Sequence, residues 1–284
     1  MKDGLGLNGA TLPRSDLLTG ITSAAVAGFS FYEPRMPELE QVRKTNGEAG
    51  ARRALEDAAI GWLPLNALEG AFATSDDELK DAARSIFSAA TPFGIRELIV
   101  VPGPVPRAVD PSEAVSLLKQ LKSLAEASGF SLLYEFIGFS HHAFPSLGEA
   151  RTVASAAGLL LVLDTFHLAA SRTPQTAIES LKAGEIGLVH LSDAYIRTDD
   201  VTRIADMDRV LPGEGQLPLA RILESVLNTG YSGPISVEVF HPKYGDLPPE
   251  DVAREAYVRA TDLLTQVHDH RSLRRSTEQE ETTI

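Results

Sequence analysis

The sequence predicts an α/β fold, a (β/α)8 TIM barrel, in a single domain over residues 1–270. Short apolar runs alternate eight times with helical segments, at roughly 30 residues per unit, which is the spacing of such a barrel. The run Gly158–Leu163 is apolar throughout, without polar alternation, and this favours a strand buried on both faces of a parallel sheet. The length of 284 residues is typical of one barrel.

The predicted strands are short runs rich in apolar residues that end at a polar residue or a proline. They are Leu5–Asn8, Phe29–Glu33, Gly61–Ala67, Glu97–Pro102, Phe130–Phe136, Gly158–Asp164, Gly187–His190 and Ile235–Phe240. Pro64 weakens the third of them, because proline cannot donate to a sheet ladder.

The predicted helices follow these strands and are marked by capping residues. They are Leu17–Ala27, Pro37–Ala58, Asp76–Ala90, Pro111–Ser128, Ser146–Ala157, Pro174–Ala183, Leu219–Thr229 and Pro249–His268. The irregular segment 194–215 is predicted to form a loop over the barrel mouth. The polar residues 271–284 predict a disordered C-terminal tail.

Composition excludes several classes of function. Cysteine is absent, so disulfides, thiolate ligands and a cysteine nucleophile are excluded. With 26 basic and 39 acidic residues the net charge is −13, which argues against a nucleic-acid partner. No apolar run reaches the ~18 residues of a membrane span, and no secretory h-region opens the chain. We therefore expect no membrane partner and a cytoplasmic location.

Four residues that can ligate metals stand at the ends of successive strands five to eight: Glu135, Asp164, His190 and Glu238. Active sites of TIM barrels lie at the C-terminal ends of the strands, so these side chains are expected to meet. Alone, each has an ordinary structural explanation, such as a loop carboxylate or a core histidine. Together, three carboxylates and one imidazole predict a site for one divalent metal ion. Mn²⁺ is favoured, and Mg²⁺, Co²⁺ or Zn²⁺ would also suit this donor set.

Further polar residues are candidates for the surroundings of this site. Asn66 and Glu33 end strands three and two and are predicted to bind substrate. Asp193 is predicted to hold His190 in one tautomer, with a loop cap as the alternative. His141 and His142, in the loop after strand five, are either surface residues or substrate contacts.

Several motifs resemble the xylose-isomerase-like TIM barrels of the sugar phosphate isomerase/epimerase group, with the strongest likeness to the inosose (2-keto-myo-inositol) isomerase branch. The motifs that carry the resemblance cover nearly all of the chain except its tail; they are Tyr32–Arg35, Pro64–Leu68, Leu133–Phe136, Leu161–His167, Val189–Asp193, Asp208–Gly215 and Ser236–Pro242. Residues 138–142 and 195–207 depart from the pattern of that branch, and the resemblance implies that these loops form the pocket.

The resemblance implies that Glu135, Asp164, His190 and Glu238 bind a single divalent metal ion. It also implies that His167 and Arg209 contact substrate oxygens. Relatives of this kind are often assembled from two or four copies, so the resemblance implies a homodimer or homotetramer.

The predicted activity is that of a metal-dependent isomerase or epimerase acting on a keto-sugar or inosose through a metal-bound enediolate. The partner would be a small polyhydroxylated keto substrate, and Glu135 and Glu238 are predicted to shuttle the proton as catalytic residues.

Alternative outcomes remain open at this stage. Loss of a β-hydroxyl would give a dehydratase of the inosose or dehydroshikimate type, and loss of a β-linked aglycone would give a 3-keto-glycoside deglycosidase. A non-catalytic sugar-binding barrel is a further alternative. The related DNA-cutting endonuclease branch is disfavoured, because it needs more histidine ligands and a basic groove.

Overall fold

The computed structural model describes residues 4–45, 47–196 and 203–282, with side chains to residue 272. Nine strands form one sheet in which every neighbouring pair is parallel. They are β1 Leu5–Asn8, β2 Phe31–Glu33, β3 Gly61–Trp62, β4 Leu65–Ala71, β5 Glu97–Pro102, β6 Ser131–Glu135, β7 Leu160–Asp164, β8 Ile186–Leu191 and β11 Ile235–Val237. A separate antiparallel pair joins β9 Asp193–Ala194 to β10 Arg209–Val210.

The sheet closes into a barrel at the third predicted strand. The strand order β3-β2-β1-β11-β8-β7-β6-β5-β4 places β3 and β4 at its two ends, yet only Leu63 and Pro64 separate them in the chain. The Leu63 N–H donates to the Tyr32 carbonyl at 2.9 Å, and the Asn66 N–H donates to the Pro34 carbonyl at 3.0 Å. The two ends therefore meet beside β2. The predicted TIM-barrel class is confirmed, and the proline accounts for the split strand.

Helices surround the sheet, as the alternation predicts. They are α1 Leu17–Ala27, α2 Met36–Lys44, α3 Glu48–Ala58, α4 Asp76–Ala90, α5 Pro111–Ala127, α6 Leu147–Ala157, α7 Thr165–Ala170, α8 Gln175–Glu179, α9 Leu219–Asn228 and α10 Pro249–Thr282.

Four details of the helices differ from the sequence prediction. The helix predicted at 37–58 is two helices, α2 and α3, and the one predicted at 174–183 shrinks to α8. The helix predicted to end at His268 continues to Thr282; the predicted disorder of 271–284 stays a prediction. The fourth detail is α7, a helix that is absent from the predicted set. It starts directly after β7 because the Asp164 carboxylate caps it, accepting the Phe166 N–H at 2.8 Å.

The barrel interior is a small apolar layer distinct from the larger core between sheet and helices. Its buried members are Leu63, Ile99, Leu133, Val162 and Leu188, one from each of five neighbouring segments. Such a layer fills the barrel below its C-terminal mouth, and the residues two positions further along each strand form the next layer. No helix among the described residues is both long and apolar enough to cross a membrane.

A buried polar pair joins β2 to the start of α2. The Tyr32 hydroxyl donates to Glu38 Oε1 at 2.6 Å, and the Arg35 N–H donates to Glu38 Oε2 at 2.8 Å. Glu38 is 9% exposed. Burial raises the pKa of the Glu38 carboxyl to about 7, although its two hydrogen bonds oppose the shift.

This raised pKa predicts a stability that depends on pH. The folded carboxyl holds its proton more tightly than the unfolded one, so its contribution is complete below the ordinary pKa of 4.5 and is lost as the pH rises through about 7. The free energy of unfolding should fall by up to about 3 kcal/mol from this group. Urea unfolding of the wild type and of Glu38→Gln, between pH 4.5 and 8.5, measures it. As the pH rises, the free energy of unfolding of the wild type should fall toward that of Glu38→Gln or below it. If the two plots of this free energy against pH are parallel, the assignment is contradicted.

Candidate metal centre

Four side chains with metal-ligand atoms converge at the C-terminal mouth of the barrel. Glu135 ends β6, Asp164 ends β7, His190 lies in β8 and Glu238 follows β11 by one residue. One ligand atom from each lies within 4.8 Å of the others, and all four residues are buried. The structure thus brings together the four residues predicted from the strand ends.

The strand register explains this convergence. Asp164 pairs with His190, and Ser236 pairs with His190 from the other side, so β7, β8 and β11 end together. On three strands the ligand-competent residue stands two positions after a member of the interior layer. The pairs are Leu133 with Glu135, Val162 with Asp164, and Leu188 with His190. Because side chains alternate along a strand, the ligand set forms the layer above the apolar one.

His190 is the centre of the cluster. Its Nε2 lies 3.0 Å from Glu33 Oε1, while its Nδ1 lies 3.3 Å from Glu238 Oε2 and 3.5 Å from Glu135 Oε1. Nδ1 is buried without a hydrogen-bond partner. Burial alone would lower the pKa of His190, but the negative charges of Glu238 and Glu33 raise it well above the ordinary value.

Glu238 is held firmly by two amides. Its Oε1 accepts from Asn8 Nδ2 at 3.0 Å and from Asn66 Nδ2 at 2.8 Å. Burial opposes ionisation, but the neighbouring His190 and Arg209 lower the pKa of Glu238 to about 2. This carboxylate is therefore ionised throughout the neutral range.

The pKa of Glu135, in contrast to that of Glu238, is raised. Burial, together with the charges of Glu238 and Asp164, raises its pKa to about 7 against the opposing effect of His190. Burial also raises the pKa of Asp164, with the Arg209 charge opposing it. Neighbouring carboxyls in one site therefore differ in how readily they hold a proton, a pattern typical of acid–base pairs.

Arg209 returns from the loop after β8 and packs against the cluster. Its Nη1 donates to Asp164 Oδ2 at 2.6 Å and to Ser192 Oγ at 3.0 Å. The guanidinium lies over the Phe166 ring at 4.1 Å and near the Phe240 ring at 5.3 Å. Arg209 is 1% exposed, so it is a built-in counter-charge rather than a solvated loop residue.

This donor set fits a divalent cation. The carboxylates of Glu33, Glu135, Asp164 and Glu238 crowd around one imidazole, and such a concentration of buried negative charge requires compensation. The unpaired Nδ1 of His190 faces two of them, whereas Nε2 is occupied by Glu33. Nδ1 is thus the atom of His190 that is free to bind a metal ion, and the contact with Glu33 would fix the tautomer and the ring orientation.

A pocket of about 370 Å³ opens beside the cluster. Of the predicted site residues it is lined by Asn66, Glu135, His167, Arg209 and Glu238. The rest of the wall mixes aromatic, apolar and acidic side chains: Glu69, Val101, Ile137, Phe139, His141, His142, Asp206 and Phe240. His167 is neutral, because burial and the Arg209 charge hold its pKa well below the ordinary value.

Two predicted roles are corrected by the contacts. Glu33 was predicted to bind substrate, but it is fully buried behind His190 and does not line the pocket. Asp193 was predicted to hold His190. The structure instead shows it as the loop cap: its carboxylate accepts backbone N–H groups of Ala194, Gly213, Gly215 and Leu217 at 2.8–3.1 Å.

Asp193 shapes the segment that carries Arg209. A Cβ at Gly215 would lie 2.4 Å from Asp193 Oδ1, so glycine is what lets this turn close over the carboxylate. The sequence prediction missed Ser192 and Phe166 as partners of Arg209. Only their places in the sequence could have indicated these roles. Ser192 lies between His190 and Asp193, and Phe166 lies between Asp164 and His167.

A sequence profile of the Xylose isomerase-like TIM barrel family matches residues 21–260, and the chain belongs to this family. An inosose isomerase of Halalkalibacterium halodurans is 27% identical over 259 residues, covering 87% of this chain and 90% of that protein. A 3-dehydroshikimate dehydratase of Pseudomonas putida is 28% identical over 140 residues, covering 49% of this chain and 22% of that protein.

Among solved structures, the crystal structure of the IolI protein with a bound zinc atom is similar, with a TM-score of 0.85. The two are 23% identical, and the likeness covers 93% of this chain and 99% of that one. The predicted family is confirmed, and so is the prediction of an enzyme of the sugar isomerase or epimerase kind.

The separate placement of Glu33 and Asp193 predicts that substitution of Glu33 weakens metal binding whereas substitution of Asp193 does not. Glu33→Ala removes the acceptor from His190 Nε2, so the affinity for Mn²⁺ or Zn²⁺ should fall about 10- to 100-fold. Asp193→Ala leaves backbone N–H groups without their acceptor and should destabilise the fold by about 1–3 kcal/mol. Its metal affinity should stay near that of the wild type.

Competition titration with a chromogenic chelator measures the affinities, and urea unfolding measures the stabilities. A metal affinity that falls in Asp193→Ala but not in Glu33→Ala would contradict these assignments and restore Asp193 as the partner of His190.

Proposed function

We propose that this chain is a divalent-metal-dependent isomerase or epimerase acting on a small polyhydroxylated keto substrate, a keto-sugar or inosose. The observation that carries the proposal is the convergence of Glu135, Asp164, His190 and Glu238 within 4.8 Å at the mouth of the barrel. The likeness to inosose isomerases over most of the chain supports the substrate class.

A divalent ion held by these four residues would act as a Lewis acid toward the substrate carbonyl. We propose Mn²⁺ as the native ion, because three of the four donors are carboxylates. The zinc in the similar IolI structure makes Zn²⁺ the competing candidate. Elemental analysis of protein purified without added metal distinguishes the two.

The two glutamates are suited to move a proton. Both line the pocket, Glu238 on the side of β11 and Glu135 on the side of β6. Glu238 keeps its negative charge and is oriented by the amides of Asn8 and Asn66, so it can take a proton from the carbon next to a carbonyl. Glu135 makes fewer hydrogen bonds and can supply or accept a proton on the other side.

Arg209 and His167 would orient substrate oxygens. Arg209 Nη2 lies 3.4 Å from His167 Nε2, and both side chains reach the pocket wall. The Nδ1 of His167 is buried without a hydrogen-bond partner. With Nε2 facing the Arg209 donor, the neutral imidazole offers its Nδ1–H, beside the guanidinium N–H groups, as donors to substrate oxygens without adding a titrating charge.

A dehydratase is the second candidate. The match to 3-dehydroshikimate dehydratase over half of this chain favours it. The same removal of an α-proton, followed by loss of a β-hydroxyl, would give dehydration. The two activities therefore share their first step and differ in what leaves.

One experiment tests both candidates. The Mn²⁺-loaded and Zn²⁺-loaded protein is incubated in D₂O with inososes, free ketoses and 3-dehydroshikimate, and NMR follows deuterium at the α-carbon. Exchange with isomerised or epimerised product supports the proposal, whereas loss of water supports the dehydratase. Absence of exchange on the whole panel, with metal bound, would contradict both.

The acid–base roles predict a strong effect of two substitutions. Glu238→Gln or Glu135→Gln should slow deuterium exchange by about 10²- to 10⁴-fold, because each removes a proton carrier. Glu69→Gln is the matched control, since Glu69 lines the same pocket outside the ligand set. It should stay within a few-fold of the wild type. Metal content is measured for each variant. An exchange rate equal to that of the wild type in metal-loaded Glu238→Gln would contradict the assignment.

The orienting role of His167 predicts an effect on binding. His167→Ala should raise KM about 5- to 10-fold, the loss of one hydrogen bond to the substrate, and leave the metal content unchanged. His268→Ala, at an exposed position of α10, serves as the control. Steady-state kinetics on the substrate found in the panel gives the answer, and an unchanged KM would show that His167 does not contact the substrate.

A further inference from the structure

The segment that carries Arg209 is held by a second contact besides that with Asp193. The Leu211 N–H, two residues after Arg209, donates to the Tyr244 hydroxyl at 2.8 Å. Tyr244 belongs to a short 3-10 helix, Pro242–Asp246, in the loop that follows β11. Tyr244 is 4% exposed. The hydrogen bond therefore joins the segment after β10 to the segment after β11 at a buried point.

The Tyr244 hydroxyl is itself held by an ion pair. It donates to Glu214 Oε2 at 2.9 Å, and the same oxygen accepts from Lys243 Nζ at 2.5 Å. Lys243 also donates to the Tyr195 hydroxyl at 3.3 Å, and its ammonium group lies 4.7 Å from the centre of the Tyr244 ring. We call Tyr244, Glu214 and Lys243 the tyrosine anchor.

The protonation states of the tyrosine anchor set the direction of its hydrogen bonds. Burial raises the pKa of Tyr244, so the hydroxyl keeps its proton at neutral pH. Partial burial also raises the pKa of Glu214, but the hydrogen bonds from Lys243 and Tyr244 outweigh this effect and hold it below the ordinary value. Since the hydroxyl has one proton and gives it to Glu214, a lone pair faces the Leu211 N–H.

The tyrosine anchor stands close in sequence to two groups of the candidate site. Leu211 follows Arg209 by two residues, and Tyr244 follows Glu238 by six. Arg209 Nη1 lies 3.9 Å from Glu238 Oε2 and 2.6 Å from Asp164 Oδ2. These side chains come from separate segments of the chain, so their spacing depends on how the segments are joined.

We propose that Tyr244 is a positioning residue for Arg209, with Glu214 and Lys243 fixing the direction of its hydroxyl. Tyr244 does not line the pocket, and it acts by holding the guanidinium at its place beside the carboxylates of the site. A small displacement of an orienting group costs much of the rate. The effect on turnover rests on the proposed function, in which Arg209 orients substrate oxygens.

Steady-state kinetics of Tyr244→Phe tests this role, on the substrate that the panel in D₂O identifies. The substitution removes the acceptor of the Leu211 N–H and should lower kcat/KM about 10- to 100-fold, because a displaced guanidinium orients the substrate poorly. Tyr231→Phe is the matched control. Its buried hydroxyl donates to the Pro234 carbonyl at 2.7 Å, before the start of β11. It loses one hydrogen bond of the same kind and should keep the wild-type kcat/KM.

A double-mutant cycle shows whether Tyr244 acts through Arg209. In an Arg209→Lys background, Tyr244→Phe should change kcat/KM by no more than about twofold, because the guanidinium that it positions is gone. An equal effect in both backgrounds would overturn the proposal. So would an effect of Tyr231→Phe as large as that of Tyr244→Phe, since it would show a structural role only.

NMR of the arginine Nε–H groups in ¹⁵N-labelled protein gives a readout that needs no activity. The Arg209 signal is assigned by its loss in Arg209→Lys. In Tyr244→Phe it should shift and exchange with solvent at least about tenfold faster, whereas in Tyr231→Phe it should stay in place. An unmoved signal in Tyr244→Phe would overturn the proposal whatever the kinetics. A moved signal, with no turnover by the wild type, would support the positioning of Arg209 and overturn the proposed function.

Variants of Glu214 test the anchor should Tyr244→Phe fail to fold. Glu214 is partly exposed, and Glu214→Ala removes the acceptor that directs the Tyr244 hydroxyl. It should give the same changes to a smaller degree. Glu214→Gln keeps an oxygen that can accept from the hydroxyl and should restore much of the wild-type kcat/KM. Equal kinetics and an equal Arg209 signal in Glu214→Ala and the wild type would overturn the role given to Glu214.

Discussion

Several carboxylates are buried together at one end of the barrel, and the fold is stable only if their negative charge is neutralised. Glu33, Glu135, Asp164 and Glu238 lie at one end of an otherwise apolar barrel, and water cannot solvate them there. Arg209 contacts Asp164, and His190 stands among the other three carboxylates. The interior can hold this charge only with a cation or with bound protons, and that requirement links the fold to the chemistry.

The counter-charge in turn depends on a loop far from it in the sequence. Arg209 reaches the barrel because β9 and β10 pair, and because the Asp193 carboxylate gathers the backbone of residues 213–217 beneath it. Phe166 supplies the surface on which the guanidinium rests. A cation is thereby fixed beside the ligand set without occupying the place of a metal, which leaves the pocket free for a substrate.

Sequence reasoning reached the barrel and the four ligand-competent residues, because strand ends in a parallel barrel must meet at one face. It did not give the partners of Glu33 and Asp193, because a strand-end position gives the layer of a side chain but not its hydrogen-bond partner. It also missed the split of the third strand, although Pro64 had marked its weakness. A cavity of about 770 Å³ between the loops that follow β5 and β6 could not be predicted, since the contacts between these loops, such as Val105 with His141, leave no pattern in the sequence.

The interrupted strand at Leu63 and Pro64 has a consequence for the whole molecule. Asn66 stands just beyond the interruption and donates to both Glu33 and Glu238, so the seam of the barrel is fastened to the charged cluster. The break in the ladder and the polar end of the barrel are thus joined through one side chain. A substitution that disturbs the backbone at Leu63 and Pro64 is therefore expected to displace Asn66 and the carboxylates that it contacts. Conversely, loss of order in the carboxylate cluster is expected to weaken the closure of the barrel between β3 and β4.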